Sequence, residues 1–435
     1  MKSANKIIIL LVAVAVVAAV LLHQTSRGKA EVKVTLETKF GAQFSAVLDG
    51  IELGERLPDT AELEVSVTGG DLFDEEGEIV PNSHTATLEM TNLKELGRLL
   101  AKSGNIEVLD LQSCPELTSL EGIEQIPSLK SLNIVDCPKF ADAKGIGSLK
   151  SVESLVVVAC KALSDVSELG GMTALNSMDL SGCEKLTALP DLSEISKLEY
   201  IYLSGCFDLE SADFSGNTSL RQLLVDGCRS LKAVGGLQNL SQLTDLNVSS
   251  CHSLKSVDGL DALKSLIVLD ARNIDAIKME AVGKLQSLET LRLAGQLGLT
   301  DLTPFTGMKS LAEMHLEAMP DLESLAGMPT TISQFAGFPH CVKLKSLDGI
   351  ESAGNLQSLS MAGCLGLRDI SAVSACKIMV QIDLMGCRGV TDVSGLSELD
   401  DLSFILLGGS GVAEVTVGDL QKALPEAAFD FTSGQ

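Results

Sequence analysis

The sequence predicts an α/β-type repeat solenoid: a curved array with a parallel β-sheet on its concave face, 3₁₀ or extended segments on its convex side, and a small β module before it. Three observations carry this prediction. Seven cysteines, Cys114, Cys137, Cys160, Cys183, Cys206, Cys228 and Cys251, recur at intervals of 23, 23, 23, 23, 22 and 23 residues, and self-similarity at such a period decides architecture before local propensity does. Each cysteine closes the same phrase of apolar residues, as in Leu-Asn-Ser-Met-Asp-Leu-Ser-Gly-Cys over 175–183. Apolar residues make up 45% of the 435-residue chain while aromatics are only 3% and tryptophan is absent. A core of that composition is built from Leu, Val, Ile and Ala in many equivalent slots, which suits stacked layers better than one large interior.

The elements follow in chain order. Lys2 and Lys6 precede a run of 16 apolar residues over 7–22, long for the apolar stretch of a signal peptide and slightly short for a spanning helix. Residues 1–30 are therefore read either as a signal peptide cut after Ala30, with Gly28 at the third position back from the cut, or as an uncleaved membrane anchor through residues 7–22. Both readings imply an extracytoplasmic protein, secreted or membrane-anchored. Residues 31–84 contain three alternating runs, 32–38, 44–53 and 61–68, that read as a small β-rich module. Within it the acidic stretch 71–78 lacks the alternating Asp spacing of a helical calcium loop and reads as a solvated turn. Residues 85–105 pair a strand-like segment with a helical pattern at Leu93, Leu96, Leu99 and Leu100, a divergent first repeat that caps the core.

Residues 106–423 hold fourteen repeats of 21 to 24 residues, starting at Ile106 and ending with the unit at Leu402, the eleventh placed at Ile332. In each, the first part alternates apolar and polar as a half-buried strand does, and the remainder repeats its leucines every third residue, the period of a 3₁₀ turn. Residues 415–424 give a last short helix, and 424–435 a closing cap and tail.

The pattern Leu-x-x-Leu-x-Leu-x-x-Asn/Cys-x-Leu, matched in nearly every unit, resembles the leucine-rich repeat family. The likeness covers about three quarters of the chain and implies a curved solenoid whose members mostly bind other proteins on the concave sheet. The phrase Leu-Ser-Gly-Cys at 180–183 and 203–206 is similar to the cysteine-type repeats of plant resistance proteins, and Leu-Thr-Asp-Leu at 299–302 to bacterial internalin repeats. The nucleotide-binding and catalytic domains of some repeat proteins have no counterpart in this sequence.

The cysteines read as a structural ladder, continued by Cys341, Cys364 and Cys387. Parallel in-register side chains do not readily reach the dihedral of a disulfide, so mostly reduced, buried thiols are expected in the slot where the family otherwise places a buried Asn. No Cys-x-x-Cys pair suggests zinc, and no cofactor is implied.

The third, fifth and seventh positions of each unit point outward onto the sheet face. Two places there stand out. Tyr200 and Tyr202, the only tyrosines of the chain, occupy adjacent outward positions of the fifth unit, where aromatic rings make binding hot spots or simply cover the sheet. In units eight to ten the outward set is Asp270, Arg272, Arg292, Glu313, His315 and Glu317, where the ninth position changes to Ile274, Gln296 and Met319. That set reads either as a recognition patch whose arginines fork onto a partner's carboxylates or as a salt-bridge lattice between neighbouring strands. A metal held by Glu313, His315 and Glu317 is disfavoured by the spacing and the nearby arginines.

The formal charge of −25 opposes phosphate backbones and sets nucleic acid aside as a partner. No nucleophile elbow, phosphate loop or paired zinc-type histidines occurs, so an enzyme is not expected. The sequence thus points to a protein-interaction scaffold that binds a protein or peptide ligand. The alternatives are a structural or self-associating cell-envelope protein and, more remotely, a hydrolase in the N-terminal module.

Overall fold

The regular apolar–polar alternation of each repeat start fixes a short strand with one buried and one outward face. Its constant period lets each strand lie beside the equivalent strand of the next repeat. A computed structural model describes residues 34–37, 43–46, 63–68, 93, 106–114, 116–275, 277–413 and 417–432. Residues 7–22, the acidic stretch 71–78 and all of 85–105 but Leu93 lie outside the described residues. The chain divides into two compact units, residues 1–220 with 227–231 and residues 221–226 with 232–435.

In unit 1 the strands are β1 (Val34–Glu37), β2 (Gln43–Ala46), β3 (Leu63–Thr68), β4 (Ile106–Gln112), β5 (Ser131–Val135), β6 (Ser154–Val158), β7 (Ser177–Asp179), β8 (Tyr200–Tyr202) and β9 (Ser211–Asp213). β1 and β2 pair antiparallel, Val34 opposite Ala46. β3 pairs parallel to β4 with an irregularity at Leu63/Glu64, so the third run of the N-terminal module adds a strand to the repeat sheet. From β4 to β8 every pairing is parallel and keeps one register: Val108 opposite Ser131, Ser131 opposite Ser154, Ser154 opposite Ser177, Ser177 opposite Tyr200.

Unit 2 repeats the plan with β10 (Gln222–Leu224), β11 (Ala233–Gly235), β12 (Asp245–Asn247), β13 (Val268–Arg272), β14 (Thr290–Ala294), β15 (Glu313–Glu317), β16 (Phe335–Gly337), β17 (Ser358–Ser360), β18 (Gln381–Asp383), β19 (Phe404–Leu406) and β20 (Ala428–Asp430). Apart from β11, which lies outside this sheet, the strands of unit 2 pair parallel in chain order. A short α-helix, Gly418–Ala423, precedes β20, and β20 pairs with β19, Phe404 opposite Ala428.

The convex return is built as the leucine spacing requires. Leu120, Ile123, Ile126, Leu129 and Leu132 stand three residues apart and are all buried. They turn through the 3₁₀ helix Ile123–Gln125, where the Ile126 N–H donates to the Ile123 carbonyl at 3.0 Å. With three residues per turn, i and i+3 eclipse, so a leucine every third residue keeps one apolar edge against the core. Equivalent 3₁₀ turns recur at Ile146–Ser148, Leu260–Ala262 and Ser371–Ala375. Along the flanks, opposite charges about one repeat apart pair, as in Lys139–Glu116 at 2.7 Å and Lys284–Asp261 at 3.0 Å. Exposed pairs of this kind add little stability each.

Position eight of the repeat, just before the ladder slot, is left-handed wherever it is read: Gly182 (φ 73°), Gly205 (72°), Gly363 (70°), but also Ala159 (56°), Ala318 (50°) and His340 (60°). The chain must turn sharply there to leave the strand, and only glycine enters that region without a Cβ penalty. Ala159→Gly and Ala318→Gly are each expected to raise stability by about 0.5–1 kcal/mol, read as a higher urea midpoint. Gly363→Ala is expected to do the opposite, since it sets a Cβ against the His340 imidazole.

Candidate functional site: the sheet face

Outward positions build the surface. In β8 buried Ile201 separates Tyr200 and Tyr202, which are both half-buried and stand on the same face. Their neighbours on β7 are small or turned away. Ser177 lies opposite Tyr200, and Asp179, opposite Tyr202, accepts a hydrogen bond from the Ser181 backbone N–H at 2.8 Å along its own strand. The two rings therefore rise beside low ground within unit 1.

In unit 2 the six charged or imidazole residues are gathered on three adjacent strands, with Asp270 opposite Arg292, Arg292 opposite His315 and Ala294 opposite Glu317. The expected lattice between strands is not what forms. Asp270 pairs along its own strand with Arg272: Nε donates to Oδ1 at 3.0 Å and Nη2 to Oδ2 at 2.7 Å. Two residues apart on a strand share a face, and the long arginine stem folds back to cover a carboxylate that is only 7% exposed. The pairing raises the Arg272 pKa. On β15 the His315 Nε2 lies 3.6 Å from Glu313 Oε2, again along the strand, and the Thr290 hydroxyl donates to the same carboxylate oxygen at 3.4 Å. Burial first, and Arg292 next, push the His315 pKa below its ordinary value, against a smaller upward pull from Glu313.

Two aromatic residues of this face escape the sequence reading. Counting the eleventh unit from Ile332 puts Ala336 and Phe338 outward, yet both are fully buried, and β16 pairs Phe335 with Glu313 and Gly337 with His315. The unit therefore begins at Ser333, eight residues before Cys341, and Ile332 packs inside at its edge. The signal was present: the ladder cysteine fixes the register more firmly than the apolar residue taken as the start. With the register corrected, Phe335 is an outward residue, and its ring stacks on the His315 imidazole at 4.5 Å between centroids and 21° between planes. Phe404, the outward residue of β19, is 52% exposed. Its signal in the sequence is position, the third of its repeat, whereas composition singles out only the tyrosines.

The cysteine ladder lies under this face. All eleven cysteines are free thiols and buried. The Sγ of Cys183 donates to the Val157 carbonyl at 3.2 Å, Cys206 to Leu180 at 3.2 Å, Cys228 to Leu203 at 3.1 Å, Cys364 to Phe338 at 3.0 Å and Cys387 to Met361 at 3.0 Å. Each thus satisfies a carbonyl of the preceding repeat with a weak donor. Where the ladder lapses, Gln296 supplies the donor, its Nε2 reaching the Ile274 carbonyl at 2.6 Å. Burial pushes the Cys183 thiol up to about 12 and those of Cys341 and Cys387 up to about 11. Unfolding without reductant is therefore expected to expose all eleven cysteines to a thiol reagent, while the native protein reacts slowly. Few titratable thiols would instead establish disulfides. Among the described residues, no group of three His, Cys, Asp or Glu side chains is placed to hold a metal.

No family model and no curated protein matches the chain. Among solved structures it is similar to a leucine-rich repeat protein of Leptospira interrogans, at 18% identity over 79% of this chain and 94% of that one, with a TM-score of 0.48. It is also similar to the functional domain of InlJ from Listeria monocytogenes, which includes a cysteine ladder, at 19% identity over 73% of this chain and 63% of that one, TM-score 0.49. A third is TLR13 in complex with ssRNA13, at 18% identity over 79% of this chain and 56% of that one, TM-score 0.50. The register-locked parallel strands, the 3₁₀ returns and the buried ladder define a leucine-rich repeat fold. Similarity at this level of identity establishes that fold and no more.

Proposed function

We propose that the chain is a binding scaffold that takes a protein or peptide ligand on its outward sheet face, with Tyr200 and Tyr202 as the anchoring pair. The observation that carries this reading is the placement of both tyrosines, half-buried and side by side, next to small Ser177 and to an Asp179 held along its own strand. Tyrosine contributes large contact area at low entropic cost and dominates hot spots. TLR13 is solved with an RNA. Here the −25 charge, and an outward face whose described strands carry only the arginines Arg272 and Arg292, favour protein over nucleic acid.

Export, with residues 1–30 as signal peptide or anchor, belongs to the same proposal. So does the layout of a β-rich module over 31–84, a cap over 85–105, repeats over 106–423 and a closing cap over 424–435. Retention of a partner from the native cell envelope by the wild-type chain, and its loss on Tyr200→Ala/Tyr202→Ala, tests the reading. Retention unchanged by the double substitution overturns the assignment of the anchor. A chain that retains only copies of itself establishes the self-associating alternative instead.

A further inference from the structure

The sheet face of unit 2 contains one arginine whose counter-ion has been taken. Along the fifth-position row, Arg292 stands between Asp270 on one neighbouring strand and His315 on the other. Asp270 is the natural partner, but both its oxygens accept from the Arg272 guanidinium, at 3.0 and 2.7 Å, and Oδ1 also accepts from the Arg272 backbone N–H at 3.3 Å. The guanidinium of half-buried Arg292 is left, among the described residues, with neither an ion pair nor a hydrogen bond. On its other side the His315 Nε2 is buried and makes no hydrogen bond, the nearest carboxylate oxygen, Glu313 Oε2, standing 3.6 Å away. Beyond His315 the row carries no long side chain, because Gly337 follows and Ser360 after it. The Phe335 ring lies over that glycine, where a Cβ would come within 2.6 Å of Phe335 Cε1, and stacks on the imidazole.

We propose that Arg292 and His315, backed by the Phe335 ring, form a subsite for a carboxylate carried next to an apolar group of the ligand, such as an acidic side chain or a chain end beside an apolar residue. The proposal rests on the reading of the sheet face as a binding surface and goes beyond it by naming the ligand's chemistry. A guanidinium binds a carboxylate through two parallel N–H···O bonds, roughly twice as strong as neutral ones. The Phe335 ring offers the apolar neighbour a flat partner.

The surrounding charges decide what kind of site this is. Asp270 and Arg272 neutralise each other on β13. On β15, Glu313 borders His315 and is held by Thr290, and Glu317 faces the seventh-position row through Ala294. β16 brings no charge. With two carboxylates flanking, the long-range field does not steer anions in, so affinity comes from contact and the site discriminates by shape. A carboxylate seated between Arg292 and His315 offsets the arginine's repulsion of the imidazolium. It is therefore expected to raise the His315 pKa, and binding tightens as pH falls through the His315 titration.

Benzoate is the probe. The full chain has five histidines, and the His315 imidazole C–H resonance is identified by its absence in H315Q. Benzoate is expected to shift that resonance saturably in the millimolar range and to raise the midpoint of its pH titration. Acetate binds more weakly, and benzamide, which has no charge, produces no shift. R292Q is expected to weaken benzoate at least about tenfold, while D270N, which leaves Arg292 unpaired, keeps or strengthens it. Equal binding to R292Q, benzamide as effective as benzoate, or no saturable shift in a wild type that melts normally overturns the subsite. Because the probe needs no macromolecular partner, these results stand apart from loss or retention of a ligand at Tyr200 and Tyr202.

Discussion

Cys183→Asp is expected to destabilise the protein by at least about 3 kcal/mol, the cost of an unpaired buried charge. The Cys183 side chain is fully buried and its Sγ faces the Val157 carbonyl at 3.2 Å. A carboxylate in that fully buried slot sets one acceptor against another between two layers of leucines. Protonation is the chain's only relief, so the defect should shrink in acid: the aspartate's folded pKa is raised, and the penalty is present above that pKa and fades as pH falls below it. Cys183→Asn separates charge from fit, because its amide N–H₂ can donate to the same carbonyl, and it should cost far less. Urea unfolding of the two variants at neutral pH reads the difference directly. A Cys183→Asp protein with an unchanged midpoint would place that side chain in solvent and overturn the ladder register.

The double substitution Tyr200→Ala/Tyr202→Ala is expected to weaken the bound partner by more than about thirtyfold, since truncating a hot-spot aromatic costs at least about 2 kcal/mol. The two rings stand outward around buried Ile201, which remains to hold the strand against the core. Folding should therefore hardly change. Titration of the retained partner against both proteins, with thermal melts alongside, checks the pair of statements. Undiminished affinity with an unaltered melt would move the anchor to unit 2. There a dependence on Arg292 would show as loss of binding in high salt.

Much of the site was legible because the repeat turns position in sequence into position in space. Once Leu129, Leu132, Ile134 and Cys137 are seen as one apolar set, the alternation puts Ser131, Asn133 and Val135 outward, and β5 shows that pattern. The same counting placed Tyr200, Tyr202, Asp270, Arg292 and His315 on the sheet face. It failed at the eleventh unit, where Ile332 imitates a repeat start and the true first position is the polar Ser333. Phe335 was lost with that slip, because a shift of one residue exchanges the two faces of a strand.

What the sequence determined by itself is the architecture: a 23-residue rhythm leaves each layer one way to bury its leucines, against the equivalent leucines of its neighbours, and the ladder slot and left-handed turn follow from that stacking. What only the tertiary structure decided is how the outward charges divide. Sequence spacing shows that Asp270 has Arg272 on its own strand and Arg292 on the next, and both are within reach. The choice depends on side-chain rotamers and on the depth of the carboxylate, which is 7% exposed and bound by both Nε and Nη2 of Arg272. Periodicity is a property of the backbone and of burial, and it specifies which face a side chain takes. It does not specify which of two partners within reach it meets there, and on this sheet that difference decides which arginine is left open.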